Sequence, residues 1–159
     1  KYGITDFIFH DYPDNQMDKL PLLEIVKNLE QHIFSFKPSI VFTHHYNDLN
    51  IDHKITFQAA MTCLRSFKCS FLESFYSFEI PSSTEQNLIN YFKPNCYSNI
   101  SNEIDKKISI FKLYKDEINK FPHPRSSKYI KILSEFRGAQ INVAAAEAFE
   151  AIKLKIFNE

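Results

Sequence analysis

Glycine occurs only twice in the 159 residues, at Gly3 and Gly138. A phosphate-cradling loop needs several glycines close together, so neither a dinucleotide fingerprint nor a P-loop is present in this sequence. Cysteine is also scarce. Cys63, Cys69 and Cys96 are odd in number and show no Cys-x-x-Cys spacing, which argues against a disulfide framework or a thiolate zinc knuckle and for reduced thiols in a cytoplasmic protein. There is no excess charge of either sign. Lys+Arg and Asp+Glu are 19 each, so no basic field exists to attract nucleic acid. No apolar run approaches the roughly 20 residues of a membrane span, and the first residues lack the basic-apolar-small order of a signal peptide. A cytoplasmic location with no membrane span is therefore expected. The sequence opens at Lys1 and enters a strand-like stretch, Ile4 to Phe9, which is how the middle of a domain begins.

What is present is core material: 44% of residues are apolar and 15% aromatic, enough for one packed domain over 1–159. From Leu20 to Phe36 apolar residues recur at three- and four-residue spacings, opposite Glu24, Lys27, Asn28 and Glu30, predicting an amphipathic helix ended by Pro38. The next run, Ser39-Ile40-Val41-Phe42-Thr43, has the pattern of a strand buried on both faces of a parallel sheet. A polar loop, His44 to Asp52, and a helix over about 53–67 follow, with Asp52 as N-cap. Strand, helix, strand is a βαβ unit, and its loop lies where open α/β sheets place ligands. Further strands are predicted over 71–80 and 96–100, and helices over 101–121 and 127–137, the latter terminated by Gly138. Between these helices lies the turn Pro122-His123-Pro124-Arg125-Ser126. The tail from Ala144 to Phe157 is ambiguous, its alanines and Glu147 favouring helix.

Chemistry concentrates in Thr43-His44-His45-Tyr46-Asn47-Asp48-Leu49-Asn50-Ile51-Asp52-His53, which holds three histidines, two aspartates and two asparagines. Neutral imidazole and carboxylate are ligands of catalytic zinc sites. By composition alone, the same segment is equally a polar loop capping a helix.

The run Pro38 to His45, followed by Asp48-Leu49-Asn50-Ile51-Asp52-His53, resembles the second motif of the PIG-L/LmbE zinc-dependent N-deacetylases. Tyr12-Pro13-Asp14-Asn15, Phe92-Lys93-Pro94-Asn95, the Phe121 to Ser126 turn, Arg137-Gly138 and Ala146-Glu147-Ala148-Phe149 follow that family's order, so the likeness covers nearly the whole chain. It implies an α/β, Rossmann-like three-layer sandwich with a mostly parallel sheet and a closing strand in the tail. It also implies one Zn²⁺, held by His53 and by two ligands from an N-terminal His-Pro-Asp-Asp motif that these 159 residues do not contain. The expectation is a partial, C-terminal portion of the domain that lacks the N-terminal strand and helix. Such a portion would be inactive alone, because the general base belongs to the same motif. An exposed sheet edge would favour self-association into a homo-oligomer.

The resemblance also assigns roles. Asp52 orients a neighbouring polar group or accepts from the loop backbone. Asn50 stands where many members have a histidine; its amide can donate to an oxyanion but cannot deliver a proton. Either Asn50 only stabilises charge, or it contacts substrate and another group, with His123 a candidate, serves as the acid. Arg125 offers a fork for phosphate or carboxylate, and Arg65 a second one. Asp14 and Asn15, after a strand, suit sugar hydroxyls. Of His44 and His45, one points into the site and one into the scaffold. Glu147 is expected to pair with Arg125 or Arg137. The implied activity is removal of an N-acetyl group from an amino sugar carried as a glycoside, nucleotide sugar or lipid-linked sugar. The contrasting reading is a non-catalytic remnant or carbohydrate-binding module of the same fold.

Overall fold

The computed structural model describes residues 3–156. Its elements in chain order are α1 (Leu22–Phe36), β1 (Ile40–His44), α2 (Ile51–Cys63), β2 (Ser74–Phe78), β3 (Cys96–Asn99), α3 (Ile104–Phe111), α4 (Ser127–Ala139) and β4 (Ala146–Leu154). A single 3-10 turn, Met17–Lys19, precedes α1. The strands form one sheet in the order β1-β2-β4-β3. The protein is thus α/β.

The expected stripe drives α1 onto α2. Ile25, Val26 and Ile33 of α1 are buried against Ile55, Ala59, Ala60 and Cys63 of α2, with Leu72 and Phe75 beneath them. Ala59 and Ala60 carry so little side chain that the two helices approach closely, and each fully buried aliphatic side chain adds about 1.5–3 kcal/mol. Lys37, left-handed at φ 53, closes α1 with its N–H on the carbonyl of Ile33. The chain then turns into β1, and the β1-α2-β2 crossover makes β1 and β2 parallel, with Ile40 opposite Ser74 and His44 opposite Phe78.

Several expectations need correction. The sheet is not mostly parallel: β4 runs antiparallel to both β2 and β3, because it returns after α4 instead of crossing over. In the tail, which its alanines leave open to helix, β4 is the closing strand that the family likeness implies. Its alternating burial lets Ala146, Ala148 and Glu150 point inward, a period of two that tertiary packing imposes over the helix propensity of alanine. Residues 4–9 form no strand. Ile4, Phe7, Ile8 and Phe9 are 57–87% exposed, and an extended segment becomes a strand only when a neighbour takes its backbone hydrogen bonds. Nor is β1 buried on both faces: it is an edge strand whose outer edge is unpaired among the described residues, with Ile40 and Phe42 each 51% exposed. The predicted helix over 101–121 stops at Phe111 because α3 buries no residue fully, leaving little packing to extend it. Gly138 lies inside α4 and does not end it. A Cβ there would meet Val143 O at 2.6 Å and Ala145 Cα at 2.7 Å, so glycine lets the helix lie directly on the chain leading into β4.

Candidate active-site cleft

The polar loop after β1 leads into α2 through a set of local hydrogen bonds that fix every side chain in it. The helix cap is Asn50, not Asp52: its Oδ1 accepts from the N–H of Asp52 (2.8 Å) and of His53 (3.4 Å). The boundary shifts because Asn50 has the extended backbone a cap requires, φ −69 and ψ 126, whereas Asp52 is already helical. With its oxygen engaged as the cap, Asn50 has its NH₂ left as a donor. Asp52 thereby becomes free to bind outward, and its carboxylate accepts from the backbone N–H of Asn15 (2.7 Å) and Met17 (2.9 Å). This pins the 13–17 turn, in which Asn15 takes φ 53, beside the start of α2.

Asp48 anchors the other side. It is completely buried and accepts from Asn50 N–H (2.8 Å), the Ser83 hydroxyl (2.9 Å) and the Thr84 hydroxyl (2.6 Å). Burial alone would push this carboxyl up, but His53, the Thr84 and Ser83 hydroxyls and the Asn50 N–H outweigh it and hold the carboxyl down at about 2. Asp48 Oδ1 lies 3.1 Å from His53 Nδ1, close to the buried nitrogen but without the geometry of a hydrogen bond. The ring of His44 stacks on that of His53, with centroids 4.1 Å apart. Burial first, then the neighbouring His53, lowers the pKa of His44 to about 4 against the pull of Asp48, so His44 is neutral at physiological pH. His45 is the scaffold member of the pair. It is fully buried, with Nε2 3.3 Å from Glu150 Oε2.

These elements line a cleft of about 480 Å³ bounded by Asp14, Asn15, Asn50, His53, the 80–83 segment, Phe111, Tyr114, Glu117, Arg125 and Ile130. Of the residues singled out by sequence, Asp14, Asn15, Asn50, His53 and Arg125 are brought together here. Asp52 acts from behind, through the 13–17 turn. Arg65 is not part of the site. It lies beyond the opposite end of α2, about 18 Å along the axis from His53 at 1.5 Å per residue, with Nε on the carbonyl of Thr62. His123 does not line the cleft either. Its Nδ1 accepts from the N–H of Arg125 at 3.0 Å, so it shapes the Phe121 to Ser126 turn, whose Phe121–Pro122 peptide is cis. Glu147 pairs with Lys107 (2.5 Å), while Arg137 is held by Glu79 through Nε (2.8 Å) and Nη2 (2.9 Å).

Sequence reasoning missed Asp48 as the anchor, together with Tyr114 and Glu117. For Asp48 a signal existed: an Asp two residues before an Asn invites the local N–H···carboxylate bond that is observed. Tyr114 and Glu117 carried none, because they were assigned to a long helix that does not form. A larger groove of about 520 Å³ between residues 5–8 and the end of α1 is mainly apolar and lacks this convergence of polar groups.

The PIG-L family model, described as GlcNAc-PI de-N-acetylase, matches residues 1–64, the stretch that ends in α2. The chain resembles the PIG-L family. Solved structures agree in fold. The conserved protein TT1542 from Thermus thermophilus superposes with a TM-score of 0.69 at 19% identity, covering 92% of this chain and 66% of that one. The N,N'-diacetylchitobiose deacetylase from Pyrococcus horikoshii gives 0.65 at 17% identity, covering 89% and 55%. GalB, the 4-carboxy-2-hydroxymuconate hydratase from Pseudomonas putida, gives 0.65 at 17%, covering 86% and 61%. At these identities the likeness is one of fold, and a fold shared by a deacetylase and a hydratase does not choose between chemistries. This chain spans between 55% and 66% of the length of these three proteins. No curated protein matches it by sequence.

As for the metal that a PIG-L likeness implies, the described residues contain no group of three or more His, Cys, Asp or Glu side chains placed to hold an ion. The donor chemistry nevertheless fits one ligand. An imidazole with one ring nitrogen facing a buried carboxylate and the other turned to the cleft has the arrangement usual for a zinc-binding histidine. Among the described residues no helix is long and apolar enough to cross a membrane.

Proposed function

We propose that the protein is a zinc-dependent hydrolase that removes the N-acetyl group from an amino sugar, and that residues 1–159 form the substrate-binding side of its site. The observation that carries this reading is His53, which falls in the stretch matching the PIG-L model and lines the cleft with its Nδ1 3.1 Å from the buried carboxylate of Asp48. Zinc would be held by His53 Nε2 together with ligands beyond those the described residues bring together. When bound, it supplies Lewis acidity to the amide carbonyl and to water.

The chain's own residues would then divide the work as their contacts dictate. Asp48 places a carboxylate beside His53 Nδ1. Asn50, its oxygen fixed as the helix cap, presents N–H donors to the oxygen that gains charge as the amide is attacked; one such donor typically contributes about 3 kcal/mol in an acyl-transfer site. Asp14 and Asn15 are held at the mouth by Asp52 and are suited to sugar hydroxyls. His123 does not reach the cleft, which argues against it as the proton donor to the departing amine.

The experiment is acetate release from N-acetylglucosaminides by the protein translated from its complete reading frame, before and after chelation and after zinc is returned. Acetate release that is lost with the metal and regained with zinc is the expected result. Release that is indifferent to chelation, or no release from any N-acetylated sugar, contradicts the proposal.

A further inference from the structure

We infer that the cleft selects uncharged saccharides, and that Glu117 sets this preference by occupying the Arg125 guanidinium; the inference rests on the deacetylase reading above. Arg125 is the single lysine or arginine among the lining residues, against the carboxylates of Asp14 and Glu117. Two of its three nitrogens are engaged, and Nη2 is not. Nε donates to Ser82 Oγ at 2.7 Å, and Nη1 donates to a carboxylate oxygen of Glu117. A phosphate or carboxylate on a ligand would compete with Glu117 for the guanidinium and would meet the carboxylates of Asp14 and Glu117 in the same cleft. The recognition of substrate anions that an arginine here first suggests is thus answered within the protein.

The other lining groups match a neutral sugar. Asn15, Asn50, Ser82 and Ser83 offer neutral donors and acceptors for hydroxyls. Phe111 and Tyr114 give apolar surface on the opposite wall, where the C–H face of a pyranose ring can lie, as in pockets that combine aromatic walls with a few placed polar groups. Glu117 and Tyr114 come from the turns that replace the end of α3, so the preference is set by a surface segment and not by the sheet.

The test uses the metal-free chain, so that zinc attracts no anion. Binding of N,N'-diacetylchitobiose and of N-acetylglucosamine 1-phosphate is measured by NMR titration for the wild type, Glu117→Gln, and the double substitution Glu117→Gln with Arg125→Gln. The wild type is expected to bind the neutral sugar more tightly than the phosphorylated one. Glu117→Gln should raise affinity for the phosphorylated sugar by on the order of tenfold, the gain from one charge-assisted hydrogen bond, and the double substitution should abolish that gain. Tighter binding of the phosphorylated sugar by the wild type, no change on Glu117→Gln, or binding of neither sugar overturns the inference. Acetate release from the same two sugars by the zinc-loaded full-length protein separates the two failures. Equal release from both removes the selectivity and keeps the deacetylase, whereas release from neither removes the deacetylase itself.

Discussion

Replacing Asp48 tests whether the loop after β1 is held together as described. Its carboxylate is wholly buried, and Oδ2 accepts from two hydroxyls, those of Ser83 and Thr84, while Oδ1 accepts from Asn50 N–H. In Asp48→Asn the shape is kept, and the amide oxygen can still serve Asn50 from the Oδ1 position. The NH₂ then faces two hydroxyls that were donating. Thr84 Oγ1 already accepts from Ile80 N–H at 2.7 Å, so its room to reverse is limited. Hydrogen bonds to a charged acceptor contribute about 1.5–3 kcal/mol each and neutral ones about 0.5–1.5. Exchanging two of the first kind for at most two of the second should cost about 2–3 kcal/mol. Asp48→Ala removes every acceptor and leaves the donors buried, so the cost should rise to about 3–5 kcal/mol, as for other broken buried pairs. Urea unfolding followed by far-ultraviolet circular dichroism measures both, with the midpoint falling and the slope unchanged. A loss under about 0.5 kcal/mol for Asp48→Ala, the range of an ordinary surface substitution, would refute the anchoring role.

Gly138→Ala should destabilise by about 1–3 kcal/mol, the usual cost of overpacking, because its Cβ meets backbone at 2.6–2.7 Å; an unchanged melting temperature would contradict the close contact of α4 with the start of β4. Cys63 is fully buried, and burial first, then Glu30 and Cys69, raises its thiol to about 11. The folded form should therefore resist iodoacetamide at pH 8. Because the unfolded chain releases this proton near pH 9 and the folded one near pH 11, stability attributable to Cys63 is intact below pH 9 and falls above it by about 1.4 kcal/mol per pH unit until pH 11. A thiol that labels at the rate of a free cysteine refutes this. On the outer strand β1, Ile40 and Phe42 are each 51% exposed beside an unpaired edge, so residues 1–159 should self-associate and Phe42→Lys should reduce it. Light scattering after size exclusion reads the difference, and a wild type monomeric at all concentrations contradicts it.

The parts legible in the sequence were those with local causes. The α1 stripe, the apolar run of β1 and the histidine-bearing loop before α2 each carry a short-range pattern, and each stands close to where that pattern puts it. The parts that were not legible depend on distant partners. Residues 4–9 have the composition of a strand but no neighbour to pair with among the described residues. The alanines of 144–148 favour helix until β2 and β3 supply two edges for β4. Arg65 and Arg125 look equivalent as guanidinium forks; the direction of α2 carries Arg65 to the end away from the cleft, while the turn before α4 brings Arg125 into it. Asn50 and Asp52 both qualify as helix caps. The helix begins at Ile51, so Asn50 is the cap, and Asp52 binds the N–H groups of Asn15 and Met17, partners 35–37 residues away that no local pattern shows.

The most direct test of the account compares His53→Ala with Arg65→Ala in acetate release from N,N'-diacetylchitobiose by the zinc-supplied full-length protein, with bound zinc measured on the same samples. His53→Ala should lose both zinc and acetate release while remaining folded, and Arg65→Ala should keep both. If His53→Ala retains zinc and releases acetate at the wild-type rate, the cleft described around it is not the catalytic site.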